Sequence, residues 1–174
     1  HPFVSVAGVG FDAYVAELFD AHPSGRRGFA TYARIAVRAL ATYRPRRYRL
    51  AFADGASEDR AAFLLTIANA SEWGNGAKIA PGARVDDALL DLVVVEERTR
   101  LATCLAIPRL FTGAIERTPG VSIRRVAEVT LSAGGGDLAL AFHVDGEPRR
   151  TNGPARVRVL AGALLVAARR PEPA

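Results

Sequence analysis

The stretch that decides the fold is Phe142-His143-Val144-Asp145-Gly146-Glu147, near the end of the chain. An apolar run over 137–141 precedes it and Asn152-Gly153-Pro154 follows it, so the pattern predicts a strand entering a tight turn. A second strand, over 156–160, is expected to leave that turn. Gly146 separates two carboxylates and permits backbone angles that a side chain forbids. The stretch is typical either of a solvated hairpin turn or of a carboxylate held at a sheet edge to accept a proton.

The composition describes one domain, spanning 1–174, with enough residues for a real core. Hydrophobic residues make up 49% of the chain, yet no apolar run reaches the roughly 18 residues of a membrane span. The single cysteine, Cys104, excludes an internal disulfide and favours a reducing, cytoplasmic compartment. The net charge of +5 comes from scattered arginines without a basic run interleaved with aromatics, so we expect no nucleic-acid partner. The absence of methionine suggests a piece of a longer protein.

Upstream of the turn, helix signals come first and strand signals then dominate. Gly8-Val9-Gly10 predicts a sharp turn after a first strand, with Asp12 placed to cap the helix that follows. A second helix is expected over 28–43, and a hairpin over 47–70. The sequence therefore predicts a strand-dominated α+β domain, an antiparallel β-sandwich with two or three helices.

Three later segments carry more specific expectations. The stretch 96–113 has helical spacing, but Pro108 should start, kink or break that helix. One long strand is expected over 121–132, and another apolar strand over 163–168. The irregular stretch 69–81 contains the only tryptophan and the only lysine, and it has the composition both of functional loops and of ordinary surface loops.

Four segments, in a fixed order along the chain, resemble the second half of the diacylglycerol kinase-like lipid kinases, which include sphingosine and ceramide kinases. The segments are Gly8-Val9-Gly10-Phe11-Asp12-Ala13, Asn69 with Trp73-Gly74-Asn75-Gly76, the stretch from Pro81 to Asp91, and Val144-Asp145-Gly146-Glu147. The resemblance covers nearly the whole chain. It implies that a first strand and an upstream nucleotide-binding domain, which carries the phosphate motif for ATP, are missing from this sequence.

The same resemblance implies roles for individual residues. Asp145 would be the general base, with Glu147 in support, and Asp12, Asn69 and Gly10 would contact the substrate. Asp86, Asp87 and the backbone carbonyl near Leu89 would hold a structural Mg²⁺, although Arg84 beside them cannot ligate a cation. From the residues alone, Asp12 is equally typical of a helix cap, and Asp86-Asp87 of a solvated turn.

Three functions remain open at this stage. The first is the lipid-side half of an ATP-dependent kinase that acts on a diacylglycerol-like or sphingoid alcohol, located in the cytoplasm and in peripheral contact with a membrane surface. The second is a non-catalytic lipid- or anion-binding module of the same fold. The third is a soluble sugar or nucleotide kinase of related architecture. Homodimer formation also stays open, and the isolated chain is expected to lack kinase activity.

Overall fold

The described part of the chain, residues 1–22, 28–135 and 139–167 of a computed structural model, contains nine β-strands, three α-helices and one 3-10 helix. None of the described helices is long and apolar enough to cross a membrane. In chain order the elements are β1 (Val6–Gly10), α1 (Phe11–Asp20), α2 (Phe29–Thr42), β2 (Arg46–Phe52), β3 (Ser57–Ala68), β4 (Leu90–Glu96), α3 (Arg100–Thr112), the 3-10 helix (Ile115–Arg117), β5 (Val121–Val126), β6 (Glu128–Ala133), β7 (Leu140–Val144), β8 (Glu147–Thr151) and β9 (Ala155–Arg158).

The strands form two antiparallel arms that share the long strand β3. One arm has the order β8-β7-β1-β3-β4-β5, and the other has the order β3-β2-β6-β9. The first half of β3 pairs with β2, whereas its second half pairs with β1 and β4. The pairing with β4 is irregular between Ala62 and Leu64, and such bulges bend a strand and increase its twist. The long strand thereby links both layers of the sandwich.

The main core lies between the two arms, because alternate residues of each strand point inward. Val9, Leu65 and Leu92 of the first arm share one cluster with Leu50 and Leu131 of the second. All five are almost completely buried. Fully burying one such aliphatic side chain stabilises the fold by about 1.5–3 kcal/mol relative to exposure. The predicted α+β sandwich is confirmed.

Helices α1 and α2 cover the outer side of the first arm. Helix α1 contacts β1, β7 and β8 and packs against α2. Val15 of α1 forms a small buried cluster with Ile35 and Ala39 of α2, which are four residues apart and therefore lie on one helix face. This arrangement places the first turn of α1 directly above β1 and β7.

The strand after the central turn differs from the prediction. The partner of β7 is β8, which begins at Glu147 immediately after the turn, whereas β9 pairs with β6 in the other arm. Asp145 and Gly146 both have positive φ, 47° and 86°, as a two-residue hairpin turn of type I′ requires. Strand β8 contains Pro148 and exposed arginine, features that an edge strand tolerates.

Three further expectations need correction. The predicted long strand is two strands, because the chain leaves β4 after Val126 and pairs with β2 from Val129 onward. Helix α3 continues through Pro108, so the proline neither starts nor breaks it, and the kink that was the third expected outcome stays a prediction. Residues 159–167 form no strand, and the remainder of the apolar strand predicted over 163–168 lies outside the described residues.

Candidate functional site

Three residues form a row across three neighbouring strands. Gly8 of β1 pairs with His143 of β7 on one side and with Thr66 of β3 on the other. Directly paired residues of antiparallel strands share one face of the sheet. Gly8 has no side chain, so the space above it, between the other two side chains, is left for a group from another element. A Cβ atom on Gly8 would lie 2.0 Å from Asp12 Oδ2, which shows which group fills that space.

The Asp12 carboxylate lies in this space and is almost fully buried. Its Oδ2 accepts a hydrogen bond from Thr66 Oγ1 at 3.1 Å and lies 3.2 Å from His143 Nε2. Its Oδ1 accepts from the backbone N–H of Ala13 at 2.9 Å. Asp12 is not the helix cap, because Gly10 occupies that position and Asp12 lies in the first turn of α1. A carboxylate there is stabilised by the helix dipole and is turned toward the sheet.

His143 joins Asp12 to the hairpin turn between β7 and β8. Its Nδ1 accepts a hydrogen bond from the backbone N–H of Gly146 at 3.2 Å. A neutral imidazole has one donor and one acceptor nitrogen, so this bond places the proton on Nε2, the nitrogen that lies 3.2 Å from Asp12 Oδ2. The residue is only 5% exposed. One buried ring therefore connects the start of α1 with the turn that carries Asp145.

A cavity of about 450 Å³ opens beside this network. It brings together three residues that the sequence singled out: Asp12, Asp145 and Glu147. Its other lining residues are Ala16, Phe19, Asp20, Tyr32, His143, Gly146, Pro148 and Arg149. Polar groups from α1 and the turn thus meet apolar and aromatic groups from α1 and α2. Such a lining suits a ligand with a polar group and an apolar part.

Tyr32 adds a hydroxyl to the cavity. Tyr32 is 40% exposed as a whole, but desolvation around its hydroxyl, with a smaller contribution from the negative charge of Asp12, raises the pKa of Tyr32 to about 12. The hydroxyl therefore keeps its proton at neutral pH. Tyr32 also stacks edge-on against Phe19, with the ring centroids 5.7 Å apart. The pair presents one apolar surface and one hydrogen-bond donor.

Asp145 holds the first residues of the chain. Its carboxylate accepts three backbone hydrogen bonds, from Val4 at 2.8 Å and from Ser5 and Val6 at 2.9 Å each. Its own N–H donates to the carbonyl of Val6 at 2.8 Å. A carboxylate offers about four acceptor positions, so about one remains for another partner. The residue predicted as a general base is therefore also a tether between residues 4–6 and the β7–β8 turn.

Glu147 is the first residue of β8, and its side chain is exposed. Its Oε2 forms an ion pair with Arg149 Nη2 at 2.5 Å, and both residues line the cavity. Exposed ion pairs of this kind contribute little to stability. The supporting role assigned to Glu147 beside Asp145 stays a prediction.

Asn69 and Gly10 lie in the framework around the cavity. Asn69 Nδ2 donates to the carbonyl of Val4 at 2.8 Å, so it holds the same segment that Asp145 tethers. Gly10 has a φ of 95°, and a Cβ atom there would lie 2.7 Å from the carbonyl oxygen of Phe63. The hydrogen bond of Asn69 and the close packing at Gly10 both involve backbone carbonyl groups. Substrate binding by Asn69 and Gly10 stays a prediction.

Asp86, Asp87 and Leu89 precede β4 and are not among the residues that line the cavity. Asp87 Oδ1 accepts from the backbone N–H of Leu89 at 3.0 Å, and its Oδ2 pairs with Arg125. Asp86 pairs with Arg84 at 3.2 Å. Two guanidinium groups thus stand beside the carboxylates that a cation would need. A magnesium ion at this site would have to displace the guanidinium group from each carboxylate, and no step of the proposed function depends on one there.

The described residues contain no cluster of three or more His, Cys, Asp or Glu side chains that could hold a metal ion. Asp91, two residues beyond Leu89, is buried on β4. Burial raises the pKa of Asp91, and the nearby Arg125 opposes that rise. Magnesium at Asp86, Asp87 and Leu89 stays a prediction.

Four members of the site were not predicted from the sequence: Gly8, Thr66, His143 and Tyr32. Two of them carried a visible signal, because Thr66 and His143 are polar residues that interrupt apolar strand patterns. What brings them together is the strand register, which pairs both with Gly8. That register joins Gly8 to residues 58 and 135 positions away, so local spacing cannot reveal it.

Comparisons with known proteins agree with this fold. Residues 5–168 match the family model described as "YegS C-terminal NAD kinase beta sandwich-like domain". The chain is 29% identical over 166 residues to the "Probable lipid kinase YegS-like" of Chromohalobacter salexigens. The matched region covers 95% of this chain and 52% of that protein.

Two solved structures from Bacillus anthracis share the fold. One, described as a diacylglycerol kinase, superposes with a TM-score of 0.56 at 15% identity, over 92% of this chain and 47% of that protein. The other superposes with a TM-score of 0.65 at 17% identity, over 92% of this chain and 50% of that protein. The chain thus spans about half the length of these proteins. Since the family model covers most of the sequence, the chain belongs to the YegS C-terminal, NAD kinase beta sandwich-like domain family.

Proposed function

We propose that the protein is the lipid-side half of an ATP-dependent lipid kinase that phosphorylates the hydroxyl of a diacylglycerol-like or sphingoid lipid. The observation that carries the proposal is the cavity, which Asp12, Asp145 and Glu147 line together with the apolar residues Phe19 and Ala16. A lipid alcohol has the matching chemistry, with a polar head and an apolar chain. The name of the Chromohalobacter salexigens relative, a lipid kinase, supports the same class.

The division of labour follows from the groups present. Phosphoryl transfer requires mainly positioning and charge stabilisation, and ATP would be bound by the other half of the full-length protein. In this chain, the buried Asp12 would orient the lipid head group through its remaining acceptor position. Asp145 would accept the proton of the lipid hydroxyl as the oxygen attacks the phosphorus.

Access to a lipid alcohol requires contact with a membrane. We infer that the protein works in the cytoplasm and reaches the lipid by peripheral contact with the membrane surface. A contact of this kind should be released by salt, whereas a need for detergent would contradict it.

One observation favours the non-catalytic alternative. Asp145 uses most of its acceptor capacity on Val4, Ser5 and Val6, as a purely structural residue would. In that alternative the cavity binds a lipid or an anion without transferring a phosphoryl group. Activity measurements on the full-length protein separate the two.

The test is transfer of labelled phosphate from ATP by the full-length protein. Long-chain diacylglycerol, a sphingoid base and ceramide in mixed micelles are compared with glycerol, a hexose and a nucleoside. We expect at least one lipid to be labelled in preference to every soluble alcohol. Labelling of a soluble alcohol alone would establish the sugar or nucleotide kinase, and lipid binding without labelling would establish the non-catalytic module.

The isolated chain serves as the control for that assay. None of its described loops has the glycine-rich sequence that cradles the phosphates of ATP, so it should not turn over ATP even when lipid is present. ATP turnover by residues 1–174 alone, at a rate typical of kinases, would contradict the division of labour between two halves.

A further inference from the structure

We propose that His143 is a positioning residue that sets the geometry of the cavity through both of its ring nitrogens. Nε2 lies 3.2 Å from Oδ2 of the Asp12 carboxylate, and Nδ1 accepts a hydrogen bond from the N–H of Gly146, next to Asp145. The two carboxylates to which the proposed function assigns head-group binding and proton transfer are thereby fixed relative to each other. The inference rests on that proposed function for its kinetic consequences, but not for its geometry.

The position is built for an imidazole. The His143 side chain is 6% exposed, and Asp12 beside it is equally buried, so solvent has little access to replace either contact of the ring. Gly8 lies between the strand partners of this network, and a Cβ atom there would come within 2.8 Å of His143 Nε2. The backbone beneath the ring therefore has room for this hydrogen-bond pair and for little else. A buried acceptor that loses its donor carries a desolvation penalty, which would move the Asp12 side chain.

The alternative to a positioning role is a purely structural one, in which the polar contacts of a buried histidine only stabilise the fold. In that case any substitution lowers stability and affects catalysis only through the amount of folded protein. The positioning role predicts something different, because each nitrogen serves a different end of the cavity. Loss of the Nε2 donor should affect binding of the lipid head group, and loss of the Nδ1 acceptor should affect the chemical step.

Two amide substitutions separate the nitrogens. In His143→Asn the side-chain oxygen can accept from Gly146 at the position of Nδ1, but the side chain is too short to donate to Asp12. In His143→Gln the terminal amide reaches the position of Nε2 and can donate to Asp12, but the acceptor for Gly146 is lost. In the full-length protein we expect KM for the lipid alcohol to rise about tenfold in His143→Asn, and kcat to fall about tenfold in His143→Gln, the effect of one lost hydrogen bond.

Val144→Ala is the matched control. Val144 is buried on the same strand and faces the core, so its truncation lowers stability without touching the polar network. It should leave kcat and KM unchanged. Where a histidine variant unfolds below the assay temperature, Thr66→Val replaces His143→Asn, because it removes another donor to the same oxygen of Asp12. It too should raise KM for the lipid and leave kcat nearly unchanged.

A second readout does not depend on activity. Nitrogen-15 chemical shifts of the His143 ring in the full-length protein should show a protonated Nε2 and an unprotonated Nδ1. A proton on Nδ1 would overturn the proposed geometry. Equal changes of kcat and KM in both amide variants, or changes no larger than in Val144→Ala, would overturn the positioning role. Absence of lipid phosphorylation by the wild type would instead remove the proposed function, while the ring shifts would still test the geometry.

Discussion

Gly8 leaves the space in which the Asp12 carboxylate lies, and a single methyl group there would close it. In Gly8→Ala the new Cβ would overlap Asp12 Oδ2, at 2.0 Å, and approach His143 Nε2 at 2.8 Å. The carboxylate must then leave Thr66 and His143. We expect a loss of about 1–3 kcal/mol in the free energy of unfolding, measured by chemical denaturation, as for other overpacked interiors.

Gly153→Ala is the control for this substitution. A Cβ atom at Gly153 meets nothing within 4 Å, and its φ is not in the left-handed region. Its stability should stay within about 0.5 kcal/mol of the wild type, as for most surface changes. Equal stability of the two alanine variants would show that Asp12 does not occupy the space above Gly8.

Asp12 offers a second test on the scale of one residue. An amide at this position has a single acceptor oxygen, whereas the carboxylate receives hydrogen bonds on both oxygens, from Ala13 on one and from Thr66 on the other. In Asp12→Asn, the side-chain NH₂ group therefore lies opposite one of these two hydrogen-bond donors. In the full-length protein we expect weaker binding of the lipid alcohol, with KM raised about tenfold or more, and a helix α1 that remains folded.

Asp59→Asn removes one carboxylate from the exposed outer face of β3, outside the cavity, and should leave KM unchanged. Wild-type KM in Asp12→Asn would limit Asp12 to a structural role. Asp12 and Asp145 belong to two of the sequence motifs, and the structure places both on one cavity. The motifs could not identify Asp12 as the centre of a buried network, because its partners come from β3 and β7.

At the level of elements, local patterns predicted what local interactions decide. The hairpin of β2 and β3 and the helix α2 follow from alternation and helical spacing within a few residues, and both are present. Strand β8 was not predicted, because Pro148 and the two arginines of this segment are typical of a loop. The same residues are compatible with an edge strand. The break at Ala127 was missed because the choice between β4 and β2 as partner is made by tertiary pairing.

The segment between β3 and β4 allows a test of the magnesium prediction. Arg125 of β5 pairs with Asp87, so a cation at this carboxylate would have to displace a guanidinium group. If the prediction is right, Arg125→Ala should bind Mg²⁺ more tightly than the wild type does. Its thermal unfolding midpoint should then rise at lower Mg²⁺ concentrations, because a ligand stabilises the folded state that binds it.

The same titration with Asp87→Asn in the Arg125→Ala background is the control. It should abolish the rise, since one of the hard oxygen ligands that Mg²⁺ prefers is lost. Unfolding midpoints that do not respond to Mg²⁺ in either the wild type or Arg125→Ala would contradict the magnesium prediction.

In the whole molecule, the β7–β8 turn links the cavity to the beginning of the chain. The Asp145 carboxylate accepts a hydrogen bond from the N–H of Val4, and the Asn69 side chain donates one to the carbonyl of Val4. The turn therefore fixes both the cavity and residues 4–6. This connection joins residues about 140 positions apart, and the sequence motif indicated the turn without indicating its partner.

The most direct measurement for the lipid kinase assignment is the turnover of Asp145→Asn in the full-length protein. Asparagine tolerates the positive φ at this position and keeps one acceptor oxygen, so we expect a fold that is intact but less stable by about 1–3 kcal/mol. Asparagine cannot accept the proton of the lipid hydroxyl. We therefore expect kcat to fall about a hundredfold or more, in line with general-base contributions.

Val4→Pro separates the tether from the chemistry. It removes the N–H that donates to Asp145 Oδ2 but leaves the carboxylate in place, so it should lower stability and retain nearly wild-type turnover. The predicted result is a hundredfold loss of lipid phosphorylation in Asp145→Asn alone. A folded Asp145→Asn protein with wild-type turnover would contradict the account and leave Asp145 as the tether of residues 4–6.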